Sequence, residues 1–200
     1  MNAAPMIKST LSKAVLLAVL SVTSVSAQTL EKAYMLAEPL QYTRQGQFRG
    51  CGVNLKVLQE IQSASRDYAT VSVNFWLDNP GAALVKTTLG KATVGPSPSN
   101  RPQPFASSWV RVKGAAPLIA QKTMAGEDQS VLTIVELSSA IDFVTAVMQG
   151  GNEIQLGLKQ SGVNHERIFY GDPVVEQESR KQLEACFGEF LDRLSKSPSK

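Results

Sequence analysis

The sequence predicts a mainly β fold, an antiparallel sandwich or barrel-like sheet with one short internal helix and a C-terminal amphipathic helix. Three observations support this prediction. Apolar and polar residues alternate through most of the chain, turn-forming residues interrupt them at short intervals, and only two segments show helical spacing. The length suits a single domain, which we place at residues 28–194.

The first residues have the order of a cleavable secretory signal. Lys8 and Lys13 precede an apolar run at 14–22, and the small residues Val25-Ser26-Ala27 follow it. We therefore expect residues 1–27 to be a signal peptide of a bacterial type, and the mature chain to begin at Gln28. The run is shorter than the roughly 20 apolar residues that span a bilayer, so we expect no stable membrane insertion. The mature protein is expected to be periplasmic or secreted.

Removal of the signal makes the chain nearly neutral. The signal carries two of the 20 basic residues and none of the 17 acidic ones, which leaves a net charge of about +1. A nucleic-acid partner gains no support from such a balance. Oligomeric state is left open by the sequence.

The clearest local element is a β-hairpin. Apolar residues alternate through 68–77 and again through 83–91, and four turn residues, Asp78-Asn79-Pro80-Gly81, separate the two runs. Similar alternation predicts further strands at 34–43, 52–58, 108–113, 118–123, 131–137, 153–160 and 167–170.

Two segments depart from this alternation. Ser139 and Asp142 have the spacing of a capping box, Ile141, Val144, Val147 and Met148 follow at helical intervals, and Gly150-Gly151 predicts the helix end. The second helix is predicted over 174–196. Its apolar stripe contains Leu183, Cys186, Phe187, Phe190, Leu191 and Leu194.

Two segments are predicted to lie outside the regular elements. Residues 96–104 contain four prolines, which cannot join a sheet ladder, so we expect an exposed loop there. The polar residues 195–200 are expected to form a disordered tail.

The chain contains two cysteines, and export favours a disulfide between them. Cys51 lies on an early strand and Cys186 on the inward stripe of the terminal helix, so a bond would staple that helix to the first strands. The alternative is a pair of separate buried thiols. A catalytic cysteine is disfavoured because no Cys-x-x-Cys pair or neighbouring histidine accompanies either residue.

No motif in the sequence identifies an enzyme, a metal site or a cofactor. The single histidine, His165, falls in a predicted turn, and no nucleophile elbow or phosphate-binding loop is present. A catalytic pair of carboxylates can assemble from distant positions, so the sequence leaves a small hydrolase open. We expect no cofactor, and a non-enzyme more than an enzyme.

Both tryptophans fall on the polar side of their strands. Trp76 shares a face with Asn74, and Trp109 shares one with Arg111. If the two strands share a sheet, we expect these four residues to form an aromatic partner-binding surface, because Trp and Arg are enriched at binding hot spots. The alternative is that a helix or second sheet covers this face and the indoles are packing residues.

The last third of the chain has a familiar order of elements. A short helix, Gly150-Gly151, a hairpin and a closing segment follow one another, which is loosely similar to bacterial invasion-associated locus B proteins. The cysteine positions differ from those of that family, and we infer no function from the likeness.

These observations lead to one expected function and two alternatives. We expect an exported, non-catalytic binding or accessory protein of the bacterial cell envelope that recognises a protein or glycan through its sheet. The alternatives are a subunit of an envelope or secretion assembly and a small hydrolase with paired carboxylates.

Overall fold

The computed structural model describes residues 27–61, 63–93, 99–162 and 164–196. The predicted signal peptide, apart from its last residue, therefore lies outside the described residues, as do the last four residues of the predicted tail. No helix among the described residues is long and apolar enough to cross a membrane.

The predicted fold class is confirmed. Most of the chain forms one strongly curved, nearly closed, barrel-like sheet, accompanied by two helices. The strands are β1 (Ala27–Arg44), β2 (Gln47–Gln59), β3 (Ser65–Trp76), β4 (Ala82–Thr93), β5 (Ser99–Pro102), β6 (Phe105–Val112), β7 (Ala120–Ala125), β8 (Val131–Glu136), β9 (Ile154–Gln160), β10 (His165–Gly171) and β11 (Pro173–Val175). The helices are α1 (Leu137–Gln149) and α2 (Gln177–Lys196).

Strand β1 joins the two halves of the sheet. The strand order is β6-β9-β10-β1-β2-β3-β4-β8-β7, with β5 beside β4 and β11 beside β1. The first part of β1 pairs in parallel with β10, and the remainder pairs antiparallel with β2. Most other pairings are antiparallel, including the predicted β3–β4 hairpin. Strands β6 and β7 are the two ends of this path.

The inner face of the sheet and both helices form one core. Met35, Phe75 and Phe169 are fully buried there. Helix α2 packs Phe187 and Phe190 against Phe75, with ring centroids 5.0 and 5.8 Å apart. Burial of such large side chains stabilises a domain by about 1.5–3 kcal/mol each.

Both helices were predicted, but their starts differ. Helix α1 begins at Leu137, directly after β8, so Ser139 lies inside the helix and not at its cap. The hydroxyl groups of Ser138 and Ser139 instead donate hydrogen bonds to the carboxylate of Glu136, the residue that precedes the helix. Gly150 ends α1 at a φ of 72°, a conformation that favours glycine.

The terminal helix is shorter than predicted at its start. Residues 173–175 form the strand β11, which pairs in parallel with residues 35–37 of β1. Pro173 is the first residue of this strand, a position where the missing N–H is tolerated. The helix continues to Lys196, so the first residues of the predicted tail are helical. Leu191, predicted on the apolar stripe, is 48% exposed because the stripe that meets the sheet is narrower.

The prediction of a loop throughout 96–104 was wrong in part. Ser99–Pro102 forms β5 and pairs antiparallel with the end of β4. Three of its four residues are exposed, as predicted for this segment. Pro102 is tolerated because it lies at the end of a short edge strand, where a missing N–H leaves little of the ladder unpaired.

Two outward-facing aromatic rings lie over glycines on neighbouring strands. The Trp109 indole covers Gly157, and the Tyr68 ring covers Gly90, so that a Cβ at either glycine would overlap the ring. Both pairs are direct cross-strand neighbours. The rings fill the space that a strand glycine leaves open, an arrangement that stabilises glycine-containing sheets.

We expect Gly157→Ala to destabilise the protein by about 1–3 kcal/mol, because the new methyl group displaces the indole. Gly81→Ala is the matched control, since no atom lies within 4 Å of its added Cβ. Denaturant unfolding of Gly157→Ala, Trp109→Ala and the double variant measures the coupling between the two positions. Additive losses would show that the ring and the glycine are not in contact.

A buried ion network crosses the concave side of the sheet. Arg167 on β10 forms a two-pronged ion pair with Glu31 on β1, at 2.7 Å for each bond, and a third bond of 2.7 Å to Asp67 on β3. The side chains are only 11–12% exposed. The hydrogen bonds with Glu31 are the main cause of the raised pKa of Arg167. The guanidinium therefore stays charged and ties three strands together.

We expect Arg167→Met to lower the free energy of unfolding by about 3–5 kcal/mol, because two buried carboxylates lose the guanidinium that they share. A triple variant that also carries Glu31→Gln and Asp67→Asn should recover much of this loss. Lys56→Met, which breaks the exposed pair with Glu38, should cost less than about 1 kcal/mol. Equal losses for the two single variants, measured by urea unfolding, would contradict this role of the network.

Candidate binding surface

The structure does not bring the four candidate partner-binding residues together. Asn74 and Trp76 lie on β3, whereas Trp109 and Arg111 lie on β6. Strands β9, β10, β1 and β2 separate these two strands in the sheet. The two strands share one sheet, but its strand order does not place the four residues side by side as one joint aromatic surface, because strands of one sheet need not be neighbours.

Asn74 and Trp76 belong to a packed cluster with Tyr42. The Tyr42 and Trp76 rings stack with centroids 4.2 Å apart, on either side of Gly50 in the strand pairing. Asn74 is only 4% exposed; it accepts a hydrogen bond from the Tyr42 hydroxyl and donates one to the Leu84 carbonyl. Asn74 thus acts in packing and does not reach a partner.

Trp109 and Arg111 are held in place on the outer side of β6. The Trp109 Nε1 donates a 2.6 Å hydrogen bond to the Glu166 carboxylate. The Arg111 guanidinium lies 4.9 Å from the Trp109 ring centroid and donates a 2.9 Å hydrogen bond from Nε to Gln155. Both side chains are half-buried, so they present oriented ring and guanidinium edges to solvent.

The strand register extends this site into a wider surface. Trp109, Gly157, Ile168 and Leu30 form one row across β6, β9, β10 and β1. The next row consists of Arg111, Gln155, Tyr170 and Lys32. We call these two rows the Trp109 face. Leu30 is 66% exposed and Ile168 is only 5% exposed, so the half-buried Trp109 and the exposed Leu30 are the two accessible ends of the first row.

A cavity of about 410 Å³ adjoins the Trp109 face at Arg111. It lies between the segment that follows β6 and the first turns of α1, and we call it the α1 cleft. Its lining consists of Arg111, Val112, Ala115, Ala116, Pro117, Leu118, Ile119, Ser139, Asp142 and Phe143. Ile119 is 75% exposed. The lining is thus mainly apolar, with a few polar groups, as in small-molecule sites.

The two cysteines are neighbours but are free thiols in the structure. Both are buried, and helix α2 brings Cys186 to the strand that carries Cys51. Their mutual hydrogen bond is the main cause of opposite shifts: it raises the pKa of Cys51 and lowers the pKa of Cys186. The structure therefore holds no Cys51–Cys186 disulfide, and that bond stays a prediction.

We expect iodoacetamide to modify Cys186 before Cys51 in the native, reduced protein, because the thiolate is the nucleophile and Cys186 has the lower pKa. Cys186 also lines a cavity of about 250 Å³ at the surface. Exchange with oxidised glutathione should then yield a Cys51–Cys186 peptide in non-reducing mass spectrometry. Faster labelling of Cys51, or failure of the linked peptide to form, would contradict this assignment.

Acidic residues do approach one another at two places. Glu31 and Asp67 share Arg167, as described above. Glu60, Glu153 and Asp172 line a cavity of about 450 Å³ near the end of β10. There Glu60 pairs with Lys32 at 3.1 Å and Glu153 with Lys113 at 3.0 Å. No group of metal-ligating residues occurs among the residues that the structure describes.

The lowered pKa of Glu153 bears on acid–base chemistry. Burial acts to raise this pKa, but hydrogen bonds from Lys113 and Gln155 outweigh burial and lower it. A catalytic acid needs the opposite shift, so that it holds a proton near neutral pH. The contacts of Glu153 at this cavity therefore favour its ionised form and do not suit it as a catalytic acid.

Several residues of these sites are missed by sequence reasoning. Leu30 and Ile168 belong to strands far apart in the chain, and only their register places them beside Trp109. Gly157 interrupts an otherwise regular strand pattern, and a glycine inside a strand is a signal that another group approaches the backbone closely. In the structure that group is the Trp109 ring. Asp142 was interpreted as a cap residue, although it lines the α1 cleft.

Comparisons with known proteins found no matching protein-family model, no matching curated protein and no matching solved structure.

Proposed function

We propose that this chain is an exported, non-catalytic binding protein of the bacterial cell envelope that holds a partner against the Trp109 face. The observation that supports this most is the row formed by Trp109, Ile168 and Leu30 on the outer side of the sheet. In this row Leu30 is 66% exposed, whereas Ile168 is buried at 5% and supports the residues beside it. An exposed leucine beside an oriented tryptophan and arginine has the composition of an interface hot spot.

The partner that fits this face best is a protein. Leu30 is 66% exposed and Tyr34, on the same side of β1, is 56% exposed. Exposed aliphatic surface gains most from burial against another apolar surface. A glycan would instead use the indole and the polar groups beside it, and it is the alternative outcome of the experiment below.

One feature favours the alternative of an assembly subunit. Strand β7 ends the sheet path, and five of its six residues are exposed. An open edge strand can pair with a strand of another subunit. A protein that purifies from the envelope as an oligomer, and becomes monomeric on Thr123→Pro, would support this alternative.

The hydrolase alternative has less support. Glu31 and Asp67 are both paired with Arg167, Asp67 also lies 4.0 Å from the Lys91 ammonium group, and Glu153 has a lowered pKa. A catalytic acid needs a raised pKa, which is opposite to the shift of Glu153.

We expect Leu30→Asp to abolish partner capture with little loss of stability, because an exposed leucine contributes little to the folded state. The tagged protein is expressed with its own signal, its start at Gln28 is checked by intact mass, and complexes are cross-linked and purified from the envelope. Leu191→Asp is the matched control, since Leu191 is a comparably exposed leucine on α2.

The proposal requires the same partner to be lost with Leu30→Asp and Arg111→Ala and retained with Leu191→Asp and Trp76→Ala. Protease treatment of the envelope should remove binding, and periodate treatment should not. Binding that survives protease and is lost with periodate would identify a glycan. Equal capture by Leu30→Asp and the wild type would refute a role for this face.

A further inference from the structure

The α1 cleft, which shares Arg111 with the Trp109 face, has features of a site for a small ligand. Its volume of about 410 Å³ lies in the range of small-molecule pockets. Val112, Leu118, Ile119 and Phe143 supply apolar walls. The open position of Ile119 means that part of this apolar surface is available to a ligand.

Two opposite charges line the cleft without a charged partner. Within the described ranges, Arg111 makes the contacts with Trp109 and Gln155 but pairs with no carboxylate, and Asp142 has no ion pair or hydrogen bond. The two side chains do not form a salt bridge with each other, so they lie more than 4.0 Å apart. Both charges are therefore free for a ligand placed between them.

Arg111 is also oriented for an anion. Its Nε is occupied by Gln155 and its plane lies near the indole, which leaves the two terminal nitrogens as a fork. A guanidinium fork matches the two oxygens of a carboxylate. Asp142 lies on α1, which forms another part of the cleft lining, and its side chain is exposed. Its carboxylate is the complementary partner for an ammonium group.

We propose that the α1 cleft binds an apolar α-amino acid or a short apolar peptide with free ends. The ligand carboxylate pairs with Arg111, the α-ammonium group pairs with Asp142, and the apolar side chain lies against Leu118, Ile119 and Phe143. This assignment follows from the combination of an apolar wall with one free positive and one free negative group in the same cavity. It does not depend on a partner at the Trp109 face.

The test is calorimetric titration of the mature protein with L-leucine and with L-leucyl-L-leucine. Saturable binding of either probe is expected, and the stronger of the two shows whether the site takes an amino acid or a peptide. Arg111→Gln and Asp142→Asn should each weaken binding about tenfold, the loss of one charge-assisted contact. Lys113→Gln is the control, since Lys113 pairs with Glu153 outside the cleft lining.

Capped probes assign each charge. N-acetyl-leucine, which lacks the ammonium group, should bind the wild type weakly and lose nothing further in Asp142→Asn. Leucinamide, which lacks the carboxylate, should behave in the same way with Arg111→Gln. Absence of saturable binding in the wild type, or equal sensitivity of both capped probes to both variants, would overturn the proposal.

The same variants separate this site from the proposed function. Asp142→Asn should weaken binding of the leucine probes about tenfold and leave partner capture intact. Leu30→Asp should abolish partner capture and leave binding of the leucine probes unchanged. Arg111→Gln should affect both, because Arg111 belongs to the face and to the cleft. Loss of partner capture in Asp142→Asn would show that the cleft is part of the partner interface and would overturn its assignment as a separate site.

Discussion

Strand β1 is the constraint on which the rest of the structure depends. Its first residues pair with β10, a strand near the end of the chain, and its later residues pair with β2, the next strand in sequence. The two halves of the sheet would have no hydrogen-bonded connection through this path without it. Arg167 strengthens the same junction, because it joins β10 to β1 and reaches Asp67 on β3. A long-range junction of this kind also requires closure of the chain from end to end before the sheet is complete.

This junction determines where exposed groups meet. Parallel pairing of β1 with β10 places Leu30 in the row of Ile168 and Trp109, and the pairing of β6 with β9 completes that row. The Trp109 face is therefore a product of four strands from both ends of the chain. By contrast, the α1 cleft is formed by segments close in sequence, because β6, β7, β8 and α1 follow one another. Arg111 belongs to both sites, which makes it the residue through which occupancy of one could influence the other.

The helix α2 closes the core from the other side. Its phenylalanines pack on Phe75, and its Cys186 lies beside Cys51. In the exported protein that we propose, these adjacent thiols would meet oxidising conditions, and a bond between them would retain the terminal helix on the sheet. The contacts of Phe187 and Phe190 with Phe75 already hold α2 on the sheet while both thiols are reduced. A disulfide would therefore add to this packing and is not needed to position the helix.

The sequence by itself determined the local structure: the β3–β4 hairpin, both helices and the inward placement of Cys186 follow from residue periodicity and turn residues, which act over a few neighbours. It also predicts a signal peptide at residues 1–27, which stays a prediction because residues 1–26 lie outside the described part of the chain. Only the tertiary structure decided that Trp76 and Trp109 are apart, that Asn74 is buried, and that Leu30 joins Trp109. Periodicity assigns a side chain to a face of its own strand, but the order and register of strands depend on contacts between residues more than a hundred positions apart, such as Arg167 with Glu31.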